Sequence, residues 1–227
     1  MRRPWFVPVI ALILAAGPGF ALLGSQGAGV QSVPSQDYAA LIGEPPRPGS
    51  DAAKADLAIL VWLQRIRTPG AVRRAETEVS LHIGIFSEVT GKDLTSGPFP
   101  RTRALAEELQ KDLRQVTAPL KQRFARPRPY DAFHQIKPAI QLETSYSYPS
   151  GHACWGSAEA TLLGVLQPER REAILERGLM VGYDRVLGGV HYPSDVDAGQ
   201  ALGPAFAQAW MAVPAHHRRL EEAKAEW

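Results

Sequence analysis

The chain has 227 residues, 45% of them hydrophobic and 21% charged, which is typical of one globular domain with a substantial core. The formal net charge is +2, and once Arg2 and Arg3 are set aside, 23 basic residues face 23 acidic ones. This balance excludes a broad nucleic-acid-binding surface, so any positive charge used for function must be local.

Residues 1–21 have the pattern of a secretory signal peptide. Arg2 and Arg3 precede an apolar run from Phe6 to Ala16, and a Gly-Pro-Gly break then leads to a small-residue cleavage site. The alternative is a retained anchor, because the uncharged run from Trp5 to Leu23 is nearly long enough to span a bilayer. The break favours cleavage, which predicts a periplasmic or secreted protein that is not attached to the membrane.

The rest of the chain is predicted to be all-α, a single-domain helical bundle without strands or internal repeats. Residues 22–50, rich in Gly, Ser, Gln and Pro, are expected to form an extended lead-in. A helical domain over 51–213 and a polar C-terminal tail over 214–227 follow. The predicted helices run from about 51 to 67, 71 to 89, 101 to 125, 151 to 166, 168 to 183 and 194 to 212.

The stretch "YPSGH", ending at His152, lies directly before a predicted helix. If Ser150 caps that helix, the amides of its first turn are free and the helix dipole favours an anion there. Gly151 lets a ligand approach the backbone, and a phosphate would accept hydrogen bonds from the Ser150 hydroxyl and these amides. His152 could donate a proton to an oxygen that leaves the phosphorus. The alternative is an ordinary serine cap beside a surface histidine.

A second group of candidates lies in "KQRFARPRPY". Lys121 falls in the last turns of the predicted helix, and Arg128 stands between two prolines that restrict its direction. A guanidinium offers a planar fork that matches phosphate oxygens, and an ammonium offers a mobile point charge. The alternative is a solvated basic helix end that favours the dipole.

The third group lies in "YDRVLGGVHYPSDVDAG", with Arg185, His191 and Asp195 as its polar candidates. Pro193 suits the first turn of a helix, which places Asp195 in that turn and His191 just before it. The carboxylate can then accept from the His191 Nδ1–H, so that Nε2 is free to attack. The alternative is a helix-capping aspartate beside a loop histidine.

The three motifs in this order resemble the signature of the type 2 phosphatidic acid phosphatase superfamily, which includes acid phosphatases, lipid phosphatases and vanadium haloperoxidases. Within it, the chain is most similar to the class A bacterial nonspecific acid phosphatases, over roughly residues 41–212. The resemblance implies the helical bundle of the acid phosphatase and vanadium haloperoxidase type.

The resemblance also implies the site. His191 would attack phosphorus and form a phosphohistidine, Asp195 would orient it, and His152 would protonate the leaving group and then activate water. The expected phosphate-binding set is Lys121, Arg128, Ser150, Gly151 and Arg185. No metal or other cofactor is implied, because His82, His134, His216 and His217 show no ligand spacing with acidic partners. His216 and His217 are expected on a solvated helix face.

Two positions depart from the family. Asp184 replaces the usual serine before Arg185. It could pair with Arg185 and weaken phosphate binding, but it is expected to point away and bond to backbone. Cys154 stands where a hydroxyl residue is more usual, and its small, apolar neighbours favour a buried thiol.

The leading hypothesis is an exported phosphatase that hydrolyses small phosphomonoesters and binds inorganic phosphate. A lipid phosphatase would normally need several membrane spans, and a vanadium haloperoxidase is usually much longer. A non-catalytic phosphate-binding module is disfavoured because His191, His152 and Asp195 are all present. The sequence leaves a homo-oligomer open.

Overall fold

The computed structural model describes residues 36–227, which belong to one compact unit. The predicted all-α fold is confirmed, since the described residues contain helices and no strand. The α-helices of this part of the chain are α1 (Tyr38–Ile42), α2 (Asp51–Ile66), α3 (Pro69–Thr77), α4 (Ser87–Thr90), α5 (Pro100–Phe124), α6 (Pro129–Ala132), α7 (Gly151–Leu166), α8 (Arg171–Leu187), α9 (Pro193–Met211) and α10 (Pro214–Lys224). The predicted signal peptide lies outside the described residues.

Helix α7 is the centre of the bundle and packs along α8 and α9. Thirteen of its 16 residues are buried, which fits a helix made mostly of apolar and small residues. Glycines allow the close approach: a Cβ on Gly178 of α8 would lie 2.5 Å from the carbonyl oxygen of Gly156. A Cβ on Gly199 of α9 would lie 2.7 Å from the carbonyl oxygen of Ser150. The first contact holds α8 against α7, and the second holds the early turns of α9 against the start of α7.

Two buried groups on α7 have unusual environments. Cys154 is fully buried as predicted, and burial raises the pKa of its thiol to about 12. Glu159 is also fully buried, and neither of its carboxylate oxygens has a hydrogen-bond partner among the described residues. Burial raises the pKa of Glu159 well above its ordinary value and so favours the neutral acid.

The continuous helix predicted over 71–89 is wrong. Helix α3 ends at Thr77, and a 3₁₀-helix at Ile83–Phe86 precedes α4. Glu78 closes α3 and forms a buried ion pair with Arg177 of α8, which draws the chain across the bundle. Inside the predicted lead-in, α1 forms because the Asp37 side chain caps it and Tyr38 packs into the core.

The C-terminal segment is not a polar tail. It forms α10, which packs on α5 and α9. His216, expected in solvent, is fully buried and stacks on the Trp210 ring at 3.8 Å between centroids, whereas His217 is exposed as expected. The cause is amphipathicity: His216, Leu220 and Ala223 share one face of the helix and are all buried.

Candidate active site

The predicted site residues come together where several helices begin or end. Lys121 lies near the end of α5, Arg128 caps α6, Ser150 caps α7, Arg185 lies in the last turn of α8, and Asp195 lies in the first turn of α9. Helix ends carry free backbone groups and partial charges, so this arrangement concentrates hydrogen-bonding capacity in one place.

His191 and Asp195 form a fully buried pair, with 3.1 Å between His191 Nδ1 and Asp195 Oδ2. The carboxylate also accepts from the Tyr192 amide at 2.9 Å, from Arg126 at 2.6 Å and from the Ser147 hydroxyl. These donors satisfy the buried Asp195 carboxylate with protein hydrogen bonds, so it can hold the imidazole in one orientation.

The protonation of His191 follows from its two neighbours. Arg128 Nη1 lies 2.9 Å from His191 Nε2, and a guanidinium can only donate, so Nε2 accepts and the proton is on Nδ1. Burial, and then the positive charges of Arg128 and Lys121, lower the pKa of His191 well below its ordinary value. The side chain is therefore a neutral imidazole with its Nε2 lone pair facing a cation.

Arg128 is 2% exposed, and each of its three guanidinium nitrogens has a hydrogen-bond partner. Its guanidinium donates to the carbonyls of Ser145 at 2.8 Å and Val190 at 2.9 Å, besides its contact with His191. Its remaining nitrogen donates to Glu143 at 2.7 Å and to the Ser145 hydroxyl at 3.1 Å. The loop before α7 thus supplies most of the partners of this arginine.

The start of α7 has the predicted form. The Ser150 hydroxyl accepts from the Ala153 amide at 3.3 Å, and the Ser150 amide donates to the Asp195 carbonyl at 2.9 Å. This backbone bond ties the second motif to the third. Gly151 opens the helix, and Lys121 Cε lies 4.0 Å from the place where a Cβ would stand, so the glycine faces the Lys121 side chain.

His152, in the first turn of α7, lies between the Val79 carbonyl and Glu143. Its Nε2 is 3.3 Å from the Val79 carbonyl, and its Nδ1 is 3.7 Å from Glu143. Burial, followed by the charge of Arg185, lowers the pKa of His152 to about 4. An adjacent dianion would raise that pKa, since it stabilises the imidazolium.

Lys121 and Arg185 complete the predicted cationic set. Lys121 Nζ donates to the Tyr146 carbonyl at 2.7 Å, and burial, assisted by the charge of Arg128, lowers its pKa to about 8. Arg185 donates through Nη2 to the Ala75 carbonyl at 3.1 Å. Its Nε is buried without an acceptor among the described residues, which leaves a charged donor free for an anion.

The Asp184 side chain was expected to bond to backbone, but it does not. It does not pair with Arg185 either. It is fully buried and receives two hydrogen bonds of 2.7 Å from the guanidinium of Arg74 on α3. Consecutive residues on a helix point in different directions, so Asp184 reaches α3 on the side away from its neighbour. The expectation that it points away from Arg185 holds, and the partner is a side chain.

The sequence argument missed several residues that surround the site. Arg126 bridges Asp195 and Asp56 of α2, at 2.6 Å and 2.9 Å, and the Ser147 hydroxyl lies 3.4 Å from His191 Nδ1. Glu143 reaches between Arg128 and His152. Arg126 had a local signal, the repeated Arg-Pro of "ARPRP", whereas the loop residues had none.

One histidine does acquire acidic neighbours through folding. Ligand atoms of Glu108, Asp112 and His216 lie within 4.8 Å of one another, contrary to the expectation that His216 has no such partners. Helix α5 places the two carboxylates four residues apart on one face, and α10 brings the histidine to them. Arg219 pairs with Glu108, and Trp210 donates to Asp112 at 2.9 Å.

Two further observations concern the described residues as a whole. No helix in 36–227 is both long and apolar enough to cross a membrane. Among solved structures, a transmembrane PAP2-type phosphatidylglycerolphosphate phosphatase from Bacillus subtilis matches with a TM-score of 0.50 and 21% identity, covering 70% of this chain and 85% of that one. This likeness concerns the fold alone.

Comparison with characterised sequences gives the family. The PAP2 superfamily profile matches residues 113–219. A non-specific acid phosphatase of Providencia stuartii is 30% identical over 201 residues, covering 84% of this chain and 81% of the relative. One from Salmonella typhimurium is 30% identical over 207 residues, covering 86% and 81%. A lipid A 1-phosphatase of Rhizobium johnstonii is 37% identical over 93 residues, covering 39% and 38%. The chain therefore belongs to the non-specific acid phosphatases of the PAP2 superfamily and is a phosphatase.

Proposed function

We propose that this phosphatase hydrolyses small phosphomonoesters through a phosphohistidine on His191. The observation that carries the proposal is the buried chain from Asp195 through His191 to Arg128, with contacts of 3.1 Å and 2.9 Å. It leaves a lone pair on Nε2 beside a guanidinium, where the phosphorus of a bound ester would lie.

In the first step, His191 Nε2 donates its lone pair to phosphorus, and the ester P–O bond breaks. His152, protonated next to the bound dianion, gives its proton to the departing alkoxide. Asp195 stabilises the positive charge that the ring acquires, because it already accepts from Nδ1–H. In the second step, water attacks phosphorus while His152 takes a proton from it. The P–N bond breaks, its electron pair returns to Nε2, and inorganic phosphate leaves.

The equatorial oxygens would be held by Lys121, Arg128, Arg185, the Ser150 hydroxyl and the first amides of α7. Charge spreads over these oxygens in the transition state, so donors fixed in a site with little water stabilise it more than they stabilise the free ester. The unpartnered Nε of Arg185 supports this assignment, since a phosphate oxygen would supply its missing acceptor.

Small phosphomonoesters are favoured over lipids because the acid phosphatase relatives match over 84% of the chain, whereas the lipid A phosphatase matches over 39%. We propose export to the periplasm or beyond, as the pattern of residues 1–21 indicates. No metal takes part in the proposed steps, so EDTA should leave turnover unchanged.

The test is the fate of phosphorus in the purified protein. His191→Asn should reduce turnover of p-nitrophenyl phosphate to background while inorganic phosphate still binds. After rapid acid quench with ³²P-labelled substrate, the wild type should carry label on His191. Label on another residue, or none in a quench that catches the first turnover, would exclude the phosphohistidine. Bromide oxidation with vanadate and peroxide would reveal haloperoxidase activity, and lipid phosphates in the substrate panel would reveal a lipid phosphatase.

A further inference from the structure

Glu143 is an acidic residue that lies among the cations of the proposed phosphate site. Its Oε2 accepts from Arg128 at 2.7 Å, and its Oε1 lies 3.7 Å from His152 Nδ1. The carboxylate therefore faces two of the groups that should meet a phosphoryl group. Its side chain is 30% exposed, so it stands at the rim and not in the core.

The electrostatics favour an anion at this place. Burial alone would raise the pKa of Glu143, but the positive charges of protonated His191, of Arg128 and of protonated His152 outweigh it and lower that pKa to about 2. Near neutral pH the two histidines are uncharged, because burial lowers the pKa of both, so Arg128 is the cation that faces Glu143 there. The carboxylate is thus ionised over the whole range in which the enzyme would work.

The same contact affects the proposed nucleophile. Arg128 donates to Glu143 with one terminal nitrogen and to His191 Nε2 with the other, at 2.7 Å and 2.9 Å. A planar guanidinium cannot turn toward a new ligand without changing both contacts. While Glu143 holds Arg128, the guanidinium covers the lone pair that must attack phosphorus.

The backbone beneath Glu143 is held in place. The Tyr130 hydroxyl donates to the Glu143 carbonyl at 2.7 Å and accepts from the Glu143 amide at 3.2 Å. Both backbone groups are tied to one side chain of α6, so the carboxylate can swing toward solvent by side-chain rotation alone. No rearrangement of the loop is needed.

We propose that Glu143 is an internal anion that competes with the substrate for Arg128, so that phosphate binds by exchange with this carboxylate and thereby frees His191 Nε2. The inference rests on the proposed function, because it takes the same site to bind phosphate. It makes Glu143 a determinant of substrate affinity that acts through Arg128.

Equilibrium binding tests the exchange without relying on turnover. Glu143→Gln keeps the shape of the side chain and removes its charge. The dissociation constant of inorganic phosphate, measured by calorimetry at pH 7, should then fall about tenfold or more. Phosphate must exchange with a charge-assisted hydrogen bond of 2.7 Å to Arg128, and the loss of one such bond changes an equilibrium constant by about tenfold or more. KM for p-nitrophenyl phosphate should fall in parallel.

Two matched variants separate exchange from other causes. Ser145→Ala removes another Arg128 contact of the same loop, of 3.1 Å, without changing charge, so it reports loosening of the loop. Asp131→Asn removes an exposed negative charge from α6, so it reports the general field. Both should leave the dissociation constant of phosphate within about twofold of the wild type, because neither removes the competing anion.

Each result decides between explanations. If the wild type binds phosphate and hydrolyses esters, but Glu143→Gln binds phosphate no more tightly than the wild type does, the exchange is overturned. A gain of the same size in Ser145→Ala or Asp131→Asn would also overturn it. Failure of the proposed function is a different result: neither the wild type nor Glu143→Gln would bind phosphate or hydrolyse an ester.

Discussion

Removing the guanidinium of Arg74 should affect both stability and phosphate binding, although Arg74 is not part of the proposed site. Its guanidinium donates two hydrogen bonds of 2.7 Å to the fully buried Asp184 carboxylate. Arg74→Met keeps the apolar stem and leaves that carboxylate buried without a partner. Breaking a fully buried ion pair costs about 3–5 kcal/mol. The Arg74 side chain is 42% exposed and solvent screens the pair, so we expect a loss of about 1–2 kcal/mol in the free energy of unfolding.

The freed charge also lies next to Arg185 in the chain, so it should weaken the hold of Arg185 on phosphate and raise KM for p-nitrophenyl phosphate. Urea unfolding and steady-state kinetics measure the two effects. Arg73→Met, on the same helix and exposed, is the control. The double variant Arg74→Met/Asp184→Ser removes the buried charge and should recover both losses. If Arg74→Met matches Arg73→Met, or if the double variant is no better than Arg74→Met, the reasoning about Asp184 is refuted.

Three further predictions concern buried groups and close packing. Glu159 keeps in the folded protein a proton that the unfolded chain releases above pH 4.5, so stability should fall as pH rises above that value. The free energy of unfolding of Glu159→Gln, measured in urea, should rise relative to that of the wild type by up to about 1.4 kcal/mol per pH unit. If the two proteins show the same dependence of stability on pH, this prediction is contradicted. Lys121, with its pKa lowered to about 8, should lose its charge as pH rises through that value, so KM should rise there in the wild type and not in Lys121→Met. If the variant shows the same rise of KM near this pH, a group other than Lys121 causes it. Gly199→Ala would press a Cβ to 2.7 Å from the Ser150 carbonyl and should cost about 1–3 kcal/mol, whereas Gly70→Ala, with its nearest neighbours at 3.9 Å, should be neutral in the same assay.

Sequence reasoning identified the parts of this protein that depend on short stretches of chain. The apolar spacing along α5, the serine before α7 and the proline at the start of α9 are local signals, and the helices begin and end close to where they predict. The pairing of His191 with Asp195 is local too, since four residues and one helix start bring the two side chains together. Helix geometry and capping act over one or two turns, so they can be read without knowing the fold.

The tertiary structure alone decided which distant groups meet. Asp184 and Arg74 are 110 residues apart, and Arg126 and Asp56 are 70 apart, and no local pattern marks them as partners. The burial of His216 and the insertion of Glu143 among cations have the same origin. Packing of α7 against its neighbours determines which faces are dry, and a buried charge must then find a partner on whichever element lies across from it. The partner depends on the three-dimensional arrangement of the helices, which spacing within any one of them does not encode.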